Sequence, residues 1–236
     1  MSLELEKAIS GYESYINKRG IDIDVARAYH NAVFFAFEKD NDIDYSLQIA
    51  PRAKNVMNQF SIKKYGGNIW QLEKYCFKEK TGHEMVDKWY EILKLEAPHK
   101  FESFIYYMEK NRPYAKRFYL PRRNPMKTVV RDLQDLEDRT SGKKFYGLSM
   151  PSRVGKSSDC IFFLAWIALK RPNSHSAMGG HSGILAKGFY KELMNLITTP
   201  EYTFKELFDY LHPEYQSRPF PTDKSADEFT ITLGDP

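Results

Sequence analysis

The stretch SMPSRVGKSSDC (149–160) runs without a break into IFFLAWIAL (161–169), the most apolar stretch of the chain. Gly155, Lys156, Ser157 and Ser158 stand at the junction. That order asks for a tight turn at the glycine and a buried-type helix from Lys156 to about residue 170. It is also the end of the pattern GxxxxGK[ST]. In that pattern backbone N–H groups converge on phosphate oxygens at a helix N-terminus, the lysine reaches the β- and γ-phosphates, and the hydroxyl ligates Mg²⁺. Met150 stands where the first glycine of the pattern belongs. Pro151 is placed to shape the turn instead, and Arg153 adds a second positive charge inside the loop.

The flanking text sets a fold expectation. KKFYGLSM (143–150) reads as a short strand feeding the turn, SHSAMGG (174–180) as a second, and EFTITL (228–233) alternates as a third. SGILAKGFYKELMNLIT and PEYTFKELFDYL read as helices between them. Strand, loop, helix, strand, helix predicts an α/β sheet domain of the P-loop NTPase, RecA-like kind.

Ahead of it the chain reads as helices. LELEKAISGYESYINKRG carries Leu5, Ile9, Tyr12 and Ile16 at helical spacing with Gly20 as the stop. DVARAYHNAVFFAFEKD places Val25, Ala28, Tyr29, Ala32, Val33 and Ala36 on one face. GGNIWQLEKYCFKEKTG and HEMVDKWYEILKLEAP predict two more short helices, and 101–112 another that ends before Pro113. FYLPRRNP reads as extended, since a residue before proline avoids the helical region. Asn124 is the predicted cap of the next helix, with Met126, Val129, Val130, Leu133 and Leu136 on its buried face. The expected organisation is a helical region at 1–99 and the beginning of an ATPase domain at 100–236.

Composition restricts the function classes. A chain of 236 residues with 28% charged and 42% hydrophobic residues is ordinary for a globular protein. A net charge of +4 permits nucleic-acid contact without requiring it. Cys76 and Cys160 are the only cysteines, which excludes a disulfide framework and fits a reducing, cytoplasmic setting. No apolar run approaches the length of a membrane span.

LSMPSRVGKSS resembles the variant phosphate loop of viral terminase large subunits, the ATPases that package double-stranded DNA into procapsids. FESFIYYMEKNR, RFYLPRR and VVRDLQDLED are similar to the text that leads to that loop, and FFLAWIALKRPNSHSAMGGHSGILAKGFYKELMNLITTPEY to the text that follows it. The resemblance covers about 100–236. It implies ATP and Mg²⁺ as cofactors. As partners it implies double-stranded DNA, a terminase small subunit, a portal protein and a homo-oligomeric motor ring, with no membrane. It implies Pro151, Ser152, Arg153, Val154, Gly155, Lys156, Ser157 and Ser158 as the nucleotide loop. Lys156 and Arg153 carry the catalytic charge and Ser157 the Mg²⁺-ligating hydroxyl. Arg122, Arg123 and Gln134 are the candidates for the adenine side. Pro151-Ser152 departs from the family's double proline. No apolar strand ending in Asp-Glu follows Lys156: Asp235 stands alone after a glycine, and IDID (21–24) precedes the loop. The expectation is therefore the front part of a longer protein, truncated before the Walker B strand and the nuclease domain, binding nucleotide but hydrolysing it slowly or not at all. The alternatives are another P-loop motor or helicase-like ATPase, and a prophage remnant acting as a non-catalytic interaction module.

Other groups point less far. His175 and His181 flank SAMGG, but a metal site needs further ligands that the text does not supply. Ordinary loop and cap roles suit His181 and Ser182, and burial suits Cys160. Asp159 reads as a first-turn helix acid favoured by the dipole. KYCFKEK reads as an amphipathic helix face. PYAKRFYLPRR fits either such a face or a phosphate-tracking segment.

Overall fold

The computed structural model describes residues 3–39, 41–75, 79–140, 142–172 and 176–215. It is helical, and among the described residues there is no strand and no sheet. This overturns the α/β expectation. Residues 143–150 and 176–180 are irregular, not strands; EFTITL and Asp235 lie outside the described residues. A strand exists only when a neighbour about 4.8 Å away takes up its N–H and C=O groups. Among the described residues no such neighbour lies beside 143–150, and Phe145 is 90% exposed.

The chain divides into two compact units, Met1–Glu96 and the remainder from Ala97. In the first, α1 (Leu3–Arg19) buries Leu5 and Ile9 and stops, as the sequence predicts, at Gly20, whose φ of 82° is left-handed. α2 (Ile23–Glu38) starts at Asp22, whose carboxylate accepts from the Val25 N–H at 3.0 Å and from the Tyr15 hydroxyl at 2.7 Å. Asp22, in the IDID stretch, is therefore a helix cap. Ala26, Ala32 and Ala36 of α2 are buried, as are Ala50 and Ala53 of α3 (Ile43–Tyr65). Small side chains let these two helices approach closely, and the Ser46 hydroxyl donates to the Val33 carbonyl at 2.8 Å. α4 (Ile69–Tyr75) and α5 (Lys80–Glu96) complete the unit, with Arg27 of α2 forking onto the Glu84 carboxylate at 2.7 and 2.6 Å.

The second unit contains α6 (Phe101–Met108), α7 (Arg123–Glu137), α8 (Lys156–Lys170), α9 (Gly183–Thr198) and α10 (Phe204–Leu211). Its core is aromatic: Phe101, Phe104, Trp166, Phe204 and Phe208 are all but inaccessible. The Trp166 indole donates to the Ala97 carbonyl at 2.8 Å, so the bulkiest residue of α8 is buried with its polar atom satisfied. FYLPRRNP is not extended. Leu120–Arg122 form a 3₁₀ turn that feeds α7 at once, and Asn124 lies inside that helix, not at its cap. Met126, Val129, Val130 and Leu133 are the buried face of α7.

Candidate phosphate-binding site

The loop before α8 is built from two left-handed residues. Arg153 has φ 64° and Gly155 φ 108°, and the carbonyl of Gly155 accepts the Asp159 N–H at 3.0 Å, which starts the helix. The glycine adopts that conformation freely; the arginine does so at a cost of about 1–2 kcal/mol. Alternation with left-handed residues is how successive amides come to face one side and form an anion-binding nest. The first-turn N–H groups of α8 have no partner within the helix and carry its positive end.

Lys156 closes the turn. Its ammonium donates to the Met150 carbonyl and, at 2.8 Å, to the Pro151 carbonyl. The two peptide units where the pattern's first glycine is missing are thus tied down by the lysine.

A cavity of about 300 Å³ opens at this point, lined by Phe118, Arg122, Arg153, Gly155, Lys156, Ser157 and Ser158. Three cations line it and no carboxylate does. The Arg122 guanidinium is placed by its own turn: Nη1 donates to the Phe118 carbonyl at 3.0 Å, and the group lies 5.7 Å over the Phe118 ring. The arrangement offers positive charge, helix-end amides and two hydroxyls to one anionic ligand. The Ser157 hydroxyl is exposed at this cavity.

The predicted residues divide. Arg153, Gly155, Lys156, Ser157, Ser158 and Arg122 meet at the cavity. Pro151, Ser152 and Val154 belong to the loop but do not line it. Gln134 is elsewhere: its Oε1 accepts the Phe101 N–H at 2.6 Å, and its Nε2 donates to the His99 carbonyl at 3.1 Å, so it fixes the start of α6. Arg123 pairs with Glu102 at 2.9 Å. Ser182 caps α9 by accepting the Leu185 N–H at 3.3 Å, His181 is exposed, and His175 lies outside the described residues. No group of metal-binding side chains occurs among the described residues.

Two residues were not singled out by the pattern in their present roles. Phe118 forms a wall of the cavity; its signal was the aromatic and cationic interleaving of PYAKRFYLPRR. Asp159 is fully buried, and neither of its carboxylate oxygens has a hydrogen-bond donor among the described groups. Burial pushes its pKa up to about 7. It stands in the first turn of α8, as its position suggests, but buried rather than open to solvent.

No helix among the described residues is long and apolar enough to cross a membrane. Comparison with protein-family models, with curated proteins and with solved structures finds no match to this chain.

Proposed function

We propose that the cavity before α8 holds the phosphate chain of ATP with Mg²⁺, and that the chain is the ATP-binding portion of a DNA-packaging motor of the terminase large-subunit kind. One observation carries the nucleotide part: Arg122, Arg153 and Lys156 converge, without an acid, on a cavity at the N-terminus of a fifteen-residue helix. In a partly enclosed site each such charge is worth more than in water. Bound Mg²⁺ supplies further neutralisation of the phosphate charge. The chain's own residues bind and orient: Lys156 and Arg153 face the terminal phosphates, Arg122 closes the far side, and Ser157 offers its hydroxyl. The motor assignment, with double-stranded DNA, a small subunit, a portal and a subunit ring as partners, rests on the resemblance of residues 100–236.

A second reading has its own support. The loop is fed by irregular chain with no sheet behind it among the described residues, which suits a non-catalytic interaction module whose phosphate loop is vestigial. Titration of ATP–Mg²⁺ into wild type and Lys156→Ala separates the two. Lys156-dependent binding supports the nucleotide site; equal binding, or none in either protein, removes it. No acid lines the cavity to hold Mg²⁺ against an attacking water, so we expect binding with little steady turnover. Sustained ATP hydrolysis by this chain would contradict that.

A further inference from the structure

Phe118 stands 37 residues before Gly155 in sequence, yet its ring occupies the space that a side chain at 155 would need. A Cβ added to Gly155 would lie 2.3 Å from Cε2 and 2.8 Å from Cζ of that ring. Real Cβ atoms never come so near, and the ring is not free to withdraw. On one side it stacks on Phe162 of α8, with centroids 5.7 Å apart and planes inclined by 15°. At its backbone it is pinned by Glu109, a buried carboxylate that accepts the N–H groups of Phe118 and Tyr119 at 2.6 and 3.0 Å. Arg112 holds Glu109 in turn at 3.0 Å. The buried Arg117 ties the same segment to the carbonyls of Arg112 and Lys110, at 2.9 and 3.0 Å.

We propose that Phe118 is a positioning residue for the phosphate site: its ring, fixed from behind by Glu109 and from the side by Phe162, holds the Gly155 turn against the start of α8 and so sets where Lys156 and the helix-end amides meet a ligand. Arg122 belongs to the same construction, because it is carried one 3₁₀ turn beyond Phe118 and is bonded to its carbonyl. One rigid segment thus aims both a wall and a cation at the loop. Ligand binding depends on the relative placement of loop and wall, and displacements near an ångström are costly at such sites. The inference rests on the nucleotide reading and extends it to residues outside the phosphate-loop pattern.

The test is a double-mutant cycle in the full chain, read as affinity for ATP–Mg²⁺ and for inorganic tripolyphosphate, with far-UV circular dichroism to confirm folding. Phe118→Ala is expected to weaken both ligands by a similar factor, on the order of tenfold, because the phosphate site itself is displaced. Gly155→Ala is expected to abolish binding in the wild-type background. In the Phe118→Ala background it costs less, because the ring no longer meets the added methyl; strain at the left-handed φ remains, so recovery is partial. A general structural role for Phe118 would instead give additive or compounded losses. Should Phe118→Ala fail to fold, Phe118→Leu keeps apolar volume against Phe162 while withdrawing the ring edge from Gly155, and carries the same cycle. Unchanged affinity in the Phe118 variants, or strictly additive losses, overturns the positioning role while the nucleotide reading stands. Absence of Lys156-dependent binding in wild type overturns both.

Discussion

At the scale of single residues, Asp159 makes a pH prediction. The carboxylate is buried without a donor, and burial lifts its pKa from 3.8 to about 7. The folded state therefore keeps a proton that the unfolded chain releases. Stability from this group is highest below the ordinary value, falls as pH rises toward 7, and stays low above it. Asp159→Asn should raise the melting temperature at pH 8 and leave it nearly unchanged at pH 4; an equal shift at both values would contradict the assignment. Glu109 behaves differently. It too is lifted by burial, but its acceptor sites are filled by Phe118, Tyr119 and Arg112. Glu109→Ala leaves the buried Tyr119 N–H and the half-buried Phe118 N–H without their acceptor and removes one partner of Arg112, and should cost about 3 kcal/mol in urea unfolding. The sequence made Lys156, Arg153 and Ser157 legible because their spacing is a known phosphate grammar. It hid Phe118 and Asp159, since the one gains its role from a contact 37 residues away and the other from burial.

At the scale of elements, helices were legible where a one-sided apolar period and a stop signal coincide. α1 ends at Gly20 and α8 spans Lys156–Lys170 as their patterns require. The 23-residue α3 lies within the region expected to be helical, but its bounds were not legible, and Pro51 sits in its interior. A mid-helix proline costs roughly 3 kcal/mol. Burial of Ile49, Ala50, Ala53, Val56, Met57 and Phe60 against the rest of the unit outweighs that. The strand expected at 143–150, and the described part, 176–180, of the one expected at 174–180, are irregular for the converse reason. Phe145 and Tyr146 suit a strand and the glycines of SHSAMGG do not, but in both places a strand also needs a partner, which no local text supplies. The cap of α2 is a further testable element. Asp22 is held below the usual carboxylate range, first by the Val25 N–H and then by the Tyr15 hydroxyl. Asp22→Ala should lower stability at neutral pH by about 1 kcal/mol. Because the folded pKa is depressed, that difference should shrink as pH falls through it.

At the scale of the whole molecule, the described chain is two helical units, and far-UV circular dichroism should show a helix-dominated spectrum. A strong β contribution would contradict the fold. The functional account concentrates on one place, where the start of α8 opens on a cavity ringed by Arg122, Arg153 and Lys156. The most direct test is a ¹⁵N-resolved titration of the full chain with ATP–Mg²⁺, following individual backbone amides. The account predicts saturable shifts at Gly155, Lys156, Ser157 and Ser158, with Phe118 following and α1 to α3 unmoved. Saturable shifts confined to other regions, or none at the loop at millimolar ligand, would contradict it.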